Sequence, residues 1–168
     1  PDGADTEDRE RAAGAGAQVV RINTDTVYLA TGHSARDTYA WLREQAVPMA
    51  QKPFAMGVRV EHPQALIDRA QYGAQAAGAG LPPADYKLNV STPDGRGVYT
   101  FCMCPGGQVM NASSEPGLLN VNGMSQHARA GENANAALLV GVPVSDFGSD
   151  DPLAGIELQR QVERAAYA

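Results

Sequence analysis

The chain has 168 residues, of which 43% are hydrophobic and 6% aromatic, and its formal net charge is −6. This length is enough for one domain with a sizeable core and is marginal for two. The acidic balance argues against a nucleic-acid partner, which needs a basic surface, and the longest apolar run, residues 136–142, is far too short to cross a bilayer. The two cysteines form a Cys-x-Cys pair that fits a reducing cytosol better than a secreted disulfide framework, so we expect a cytoplasmic protein.

The first thirty residues contain a polar segment and two predicted strands. Residues 1–17 are acidic and then rich in Ala and Gly, without periodicity, which is typical of a flexible or surface segment. Residues 18–22 and 26–30 are short apolar runs separated by turn-forming residues. The second run suits a strand that is buried on both faces, as in a parallel sheet.

The second predicted strand ends in Ala30-Thr31-Gly32 and leads directly into a predicted helix. Glycine at a strand end allows close approach of a ligand, and ligands of open α/β sheets bind at that end of the strands. Ser34 and Asp37 form a capping-box pattern, and Pro48 ends the helical periodicity. For these few residues taken alone, an ordinary strand-turn-helix connection is the favoured interpretation.

The rest of the chain alternates between strand and helix patterns, with a boundary expected near residues 50–53. In the first strand, Met56, Val58 and Val60 alternate with polar residues, which predicts a half-buried strand with these three inward. Together the patterns predict an α+β fold: an antiparallel sheet with helices on one face, a two-layer sandwich close to the ferredoxin-like β-α-β-β-α-β order with a weak second helix. The predicted elements are a strand at 55–61, a helix at 63–72, a hairpin of 86–90 and 98–104, short strands at 108–112 and 118–122, a strand at 136–142, and a C-terminal helix capped by Asp151 with Pro152 at its first position.

Cys102 and Cys104 are the first candidates for chemistry. Two residues apart in a strand, they are predicted to lie on the same face and to form no disulfide. Two small buried hydrophobes are the simpler interpretation, and a redox-active thiol next to a cofactor is the alternative. We expect Cys102 to be buried and inert, and Cys104 to be the one that reaches a cleft.

Two further segments have the composition of ligand sites. Pro105-Gly106-Gly107 carries more glycine than a turn needs, so its N–H groups could converge on a ligand, although a plain hairpin turn explains it as well. The polar stretch at residues 120–135 contains His127 and Arg129, and Arg129 could bind a substrate carboxylate. The three histidines and two cysteines lack the paired spacing of a structural zinc site, so no metal is expected.

Five segments occur in an order that is specific enough to suggest a family. They resemble a bacterial family of FAD-dependent oxidoreductases, the uncharacterised FAD-dependent dehydrogenases, over roughly residues 19–167. The segments are Gly-His-Ser-Ala-Arg-Asp-Thr at 32–38, Lys-Pro-Phe-Ala-Met-Gly-Val-Arg-Val-Glu-His-Pro at 52–63, Leu-Pro-Pro-Ala-Asp-Tyr-Lys at 81–87, Gly-Val-Tyr-Thr-Phe-Cys-Met-Cys-Pro-Gly-Gly at 97–107 and Asn-Gly-Met-Ser at 122–125.

The resemblance implies a domain organisation and a set of site residues. Residues 18–50 would be part of an FAD-binding domain, an edge of a Rossmann-type sheet, and residues 51–168 an inserted substrate-side domain with the start of the following helix. FAD in the full-length parent would be the cofactor, with a small-molecule substrate or electron donor and the rest of the flavin domain as partners. No catalytic residue is assigned, and Cys104 and His127 are candidates. The residues implied to contact FAD are Ala30, Thr31, Gly32 and His33, and those that face the flavin or substrate are Gly106, Gly107, Asn122, Gly123, Met124, Ser125 and Arg129.

The sequence departs from the family pattern in one respect. It has no G-x-G-x-x-G after a strand, which is the motif that binds the FAD pyrophosphate. With a start at Pro1 and an end within a helical pattern, we expect the chain to be a fragment of an FAD-dependent oxidoreductase, inactive on its own. The alternative is a stand-alone ferredoxin-like module that binds a ligand or partner without catalysis.

Overall fold

The structure is a computed structural model that describes residues 20–32, 34–74 and 80–168. The chain divides into two units, Pro1–Gly32 and His33–Ala168. In the first unit the described residues form no strand, and Val27 and Tyr28 are 73% and 91% exposed. The predicted buried strand at 26–30 and the described part of the one at 18–22 are therefore not observed, because a strand needs a hydrogen-bonded neighbour and the described residues supply none.

A four-stranded antiparallel sheet forms the centre of the second unit. Its two longest strands, β1 (Phe54–Pro63) and β6 (Asn133–Val142), pair along their whole length. On its other side β6 pairs with β3 (Gly97–Cys104), which pairs in turn with β2 (Asn89–Ser91). The strand order is β1-β6-β3-β2. Because β6 has a neighbour on both sides, it supplies most of the buried core, including Ala134, Ala136 and Val142.

The other elements among the described residues are three α-helices, a short 3-10 helix and a hairpin of two strands, β4 (Gly107–Asn111) and β5 (Val121–Ser125). Strands β4 and β5 form a separate two-stranded antiparallel sheet. The predicted α+β class with an antiparallel sheet is confirmed. Strand β5 lies three residues after the short strand predicted at 118–122 and pairs back onto β4, and no helix is observed among the described residues between β3 and β6, where a weak second helix was predicted. The α-helices are α1 (Arg36–Glu44), α2 (Gln64–Tyr72) and α3 (Ala154–Tyr167), and the 3-10 helix spans Val144–Phe147.

Two helix starts differ from their predicted positions. Helix α1 begins after Ala35, which has no side-chain cap, and the Asp37 carboxylate accepts a hydrogen bond from the Thr38 N–H, so the predicted capping box of Ser34 and Asp37 is wrong. The Asp151 carboxylate accepts from the Leu153 N–H at 2.8 Å, and α3 starts only at Ala154. Asp151 therefore stabilises the turn before the helix.

The predicted inward face of β1 is largely exposed. Met56 is half-buried, but Val58 is 62% exposed, and Leu138, its partner on β6, is 41% exposed. The alternation of β1 is therefore as predicted, whereas the burial of Val58 and Val60 is wrong. None of the described elements covers this part of the sheet, and the other face carries Arg59 and the buried Asn135.

Candidate ligand site

The turn between β3 and β4 packs directly on the backbone of the β5–β6 region. Gly106 has a φ of 56°, and a Cβ atom there would overlap the Arg129 carbonyl; a Cβ on Gly107 would overlap the Met124 carbonyl. The Ser125 hydroxyl donates a hydrogen bond of 2.7 Å to the Pro105 carbonyl. Only glycine permits this approach of two backbones. We call this contact of residues 105–107 with residues 123–131 the glycine junction.

Helix α2 anchors the glycine junction through Gln64, which is 6% exposed. Its side-chain carbonyl accepts a hydrogen bond of 2.9 Å from the Gly106 N–H, and its amide donates to the Ala84 carbonyl at 2.9 Å and to Asp68 at 2.8 Å. Every polar atom of this buried side chain thus has a partner, as burial requires. The Gly106 N–H is consequently bound to Gln64 and is not directed at a ligand.

Arg59 on β1 lies next to the glycine junction and is the central cation of the candidate site. Its Nη1 donates to Asn135 Oδ1 at 2.6 Å and to the Cys102 carbonyl at 3.1 Å, and lies 3.9 Å from the Cys104 Sγ. Gly123 packs so closely that a Cβ there would overlap both Arg59 and Asn135. Asn135 is completely buried, and its Nδ2 has no hydrogen-bond partner within the described residues.

Glu61, the next acidic residue on the face of Arg59, is occupied by other contacts. Its carboxylate accepts hydrogen bonds from the Val109 N–H at 2.9 Å and from Asn133 Nδ2 at 2.8 Å. The bond from Val109 is the main reason that the pKa of Glu61 lies below its usual value. Glu61 therefore fixes β4 to β1 and does not neutralise Arg59.

A groove of about 470 Å³ runs between the β1–β6 surface, the β4–β5 hairpin and α3. Arg59 lines it together with Arg36, Gln159 and Glu163, and the rest of the lining is mainly apolar. Ligand sites typically combine such an apolar surface with a few polar groups that fix orientation. The apolar lining residues include Phe54, Met56, Val109, Leu119, Val121, Leu139 and Val162.

Arg36 is held by a closed ionic network at the α3 side of the groove. It is 9% exposed and forms a bidentate pair with Glu163, at 2.8 and 2.9 Å, and a bond of 2.8 Å with Glu115. The hydrogen bond to Glu163 is the main reason that the pKa of Arg36 is raised. Arg36 is therefore a buried link between α1, the loop at 113–120 and α3.

The two cysteines do not share a strand face. Phe101 pairs with Ala137 and Cys104 with Asn135, so a β-bulge lies between them, and Cys102 has a φ of 51°. Both cysteines are free; Cys102 is exposed, and Cys104 is half-buried with its Sγ 3.3 Å from the Cys102 carbonyl. The prediction that Cys102 is buried is therefore wrong, because the bulge turns it out of the sheet.

The structure brings some of the sequence-predicted site residues together and leaves others apart. His127 and Asn122 are exposed, as is the Arg129 side chain, although the Arg129 backbone is part of the glycine junction. Ala30, Thr31 and Gly32 belong to the other unit, and His33 lies outside the described residues. Those that meet at or beside the glycine junction are Cys104, Gly106, Gly107, Gly123, Met124 and Ser125.

Sequence reasoning missed Arg59 and Gln64 as parts of a site, and it included Asn135 only as the end of the polar stretch at residues 120–135. Arg59 was taken as one of the solvent-facing residues of an alternating strand, and Asn135 was placed just before a strand that in fact begins at Asn133. A usable signal existed: Asn135 interrupts an alanine-rich buried run, and a buried amide needs a polar partner.

The fold and the site define an α+β domain with a ligand-sized groove, and comparison with known proteins gives its family. The chain belongs to the family described as "FAD-dependent protein, C-terminal domain-like", which matches residues 53–168. A protein of Clostridium beijerinckii described as "Uncharacterized protein" is 50% identical over 147 residues, which are 87% of this chain. Those residues cover 28% of the relative, so the chain spans well under a third of its length. No helix among the described residues has the length and apolar character to span a membrane.

Proposed function

We propose that the chain is the substrate-side domain of an FAD-dependent oxidoreductase. The observation that carries the proposal is the match of residues 53–168, which include the groove and most of its lining, to a family described as FAD-dependent. The length of the relative supports it, because nearly three quarters of that protein lies outside the matched region and leaves room for a flavin domain.

The residues of this chain alone do not make a complete FAD site. Ala30, Thr31 and Gly32 are exposed, Gly32 has a φ of 78°, and a Cβ there would meet nothing within 4 Å. Such a backbone is open to close approach, but the sequence contains no G-x-G-x-x-G motif of the kind that holds a pyrophosphate. In the proposal, Ala30 to His33 contribute one edge of the cofactor site and the missing part of the protein contributes the rest.

In this proposal FAD supplies the hydride or electron-pair chemistry, and the present chain binds and orients the substrate. The groove between β1, β6 and α3 would hold the substrate, and the glycine junction would form the adjoining wall. Cys104 is the candidate closest to that wall, whereas His127 lies on an exposed loop. We therefore retain Cys104 ahead of His127 as a residue near the reaction.

The test is made on the full-length protein. We expect it to purify with bound FAD, visible in its absorbance spectrum, and to transfer electrons from a reduced substrate to the flavin. A full-length protein that neither retains nor takes up FAD would contradict the proposal and favour the stand-alone ligand-binding module.

Gly32→Val in the full-length protein tests the contact of this chain with the cofactor. A branched side chain at Gly32 would fill the space that the cofactor needs, so flavin content should fall severely. Gly117→Val is the matched control, because Gly117 has a similar φ of 72° and equally open surroundings. Wild-type flavin content in Gly32→Val would mean that Gly32 is only a turn residue.

A further inference from the structure

Two arginines line the groove, and only one of them has its charge neutralised. Arg36 is paired with Glu115 and Glu163. Arg59 forms no ion pair with any described residue; its hydrogen-bond acceptors are the neutral Asn135 amide and the Cys102 carbonyl. A partly buried guanidinium with only neutral partners retains a strong preference for an anion.

The contacts of Arg59 fix one edge of its guanidinium and leave the other available. All its hydrogen bonds to described residues start from Nη1, so Nε and Nη2 have no acceptor there. Asn135, completely buried, and Gly123, packed against both side chains, restrict how the fork can move. The result is a pre-oriented fork for a planar, bidentate anion.

The rest of the groove favours a ligand whose remaining part is apolar. Its lining beyond the arginines is mainly aliphatic and aromatic, and its volume of about 470 Å³ is typical of small-molecule sites. We propose that this groove binds a small carboxylic acid with an apolar chain or ring, with the carboxylate on Arg59 and the apolar part against Leu139 and Val162. The inference rests on the proposed function only in making this carboxylic acid the substrate of the oxidoreductase.

A carboxylate fits the groove better than a phosphate. A phosphate carries up to two charges and is usually held by several cations or by converging backbone N–H groups. In the described part of the groove Arg59 is the only cation without a carboxylate partner, and the Gly106 N–H nearby is bound to Gln64. A second, wider cleft between α1 and α3 is a weaker candidate, because its cations Arg36, Arg43 and Arg160 all have carboxylate partners.

Titration of the 168-residue chain with hexanoate, followed by NMR, tests the proposal. We expect hexanoate to shift the Arg59 Nε–Hε resonance and the methyl resonances of Leu139 and Val162. Hexanamide has the same apolar body without the charge, and acetate has the charge without the body; both should bind at least tenfold more weakly. Inorganic phosphate should leave the Arg59 resonance unchanged.

Variants assign the binding to the guanidinium. Arg59→Gln should weaken hexanoate binding at least tenfold, Arg59→Lys should recover only part of the loss, and Arg69→Gln should change it less than twofold. Arg69 is an exposed arginine of α2, so its variant controls for the change in net charge. Equal binding of hexanoate by wild type and Arg59→Gln, no shift at Leu139 and Val162, or a phosphate-induced shift at Arg59 would each overturn the proposal. Because the titration needs no flavin, a full-length protein without FAD would refute the proposed function and leave this result standing.

Discussion

At the scale of single residues, the most consequential feature is the contrast between buried and exposed ion pairs. Arg36 and Glu163 are 9% and 13% exposed, and Glu115 adds a second carboxylate. Burial raises the pKa of Glu115, but hydrogen bonds from Arg36 and Arg160 outweigh that effect and lower it overall. Removal of one partner from such a network leaves a partly buried charge without compensation, which is where the energetic cost lies.

Arg36→Met should therefore destabilise the protein by about 3 kcal/mol in urea unfolding, because Glu163 loses its main partner. The double variant Arg36→Met/Glu163→Met should recover a large part of that loss, since it leaves one carboxylate fewer unpaired. Arg43→Met is the control: its pair with Asp151 is 53% and 31% exposed, and the loss should stay below about 1 kcal/mol. Equal losses for Arg36→Met and Arg43→Met would show that the buried network does not hold α1 to α3.

The left-handed backbone of Cys102 leads to a second prediction at this scale. At a φ of 51°, Cys102→Gly should be neutral or slightly stabilising, and Cys102→Val should cost about 1–2 kcal/mol, because a β-branched residue tolerates this region poorly. Cys104→Gly is the opposite control, since glycine weakens a regular strand position. The exposed Cys102 should also react with iodoacetamide faster than Cys104, as mass spectrometry of the two single Cys→Ser variants would show. A stability loss in Cys102→Gly as large as that in Cys104→Gly would contradict the conclusion that the backbone is strained at Cys102.

At the scale of secondary structure, local patterns predicted most elements, and long-range packing decided the rest. The alternation of β1, the pattern of the hairpin predicted at 86–90 and 98–104, and the apolar run of β6 located those strands within a few residues. The bulge at Cys102 was not predictable, because it depends on which β6 residue opposes Cys104. The same limit applies to the ligand site: Arg59 and Asn135 are 76 residues apart in the chain and meet only through strand pairing.

The glycine junction gives a prediction for the docking of the β4–β5 hairpin. Gly106→Ala adds a methyl group that overlaps the Arg129 carbonyl and also places alanine at a positive φ, so we expect a loss of at least about 2 kcal/mol. Gly117→Ala has the same backbone strain with open space around the methyl group, and its loss should be about 1 kcal/mol. Guanidinium unfolding of both variants measures the difference. Equal losses would mean that the hairpin can move away from the turn without cost.

At the scale of the whole molecule, the exposed apolar residues and the comparison with the relative both fit a domain that other parts of the proposed full-length protein cover. Val58, Leu138 and Val90 on one sheet face are between 41% and 64% exposed, and the predicted strand at 26–30 has no described partner strand. Large exposed apolar surfaces are unusual on proteins that act alone. The matched segment is 28% of the relative, so in the proposed full-length oxidoreductase further chain is available to cover these surfaces.

The same reasoning predicts the behaviour of the 168-residue chain when it is expressed alone. It should purify without colour and show no saturable binding of added FAD, because a glycine-rich turn before a helix supplies most pyrophosphate contacts and the sequence has no G-x-G-x-x-G motif for such a turn. Absorbance and flavin fluorescence of the purified chain measure this directly, and full-length protein prepared in parallel shows whether the preparation retains flavin. A chain that purifies with stoichiometric flavin would mean that residues 1–168 hold a complete cofactor site, and Ala30 to His33 would then have to supply far more than one edge of it.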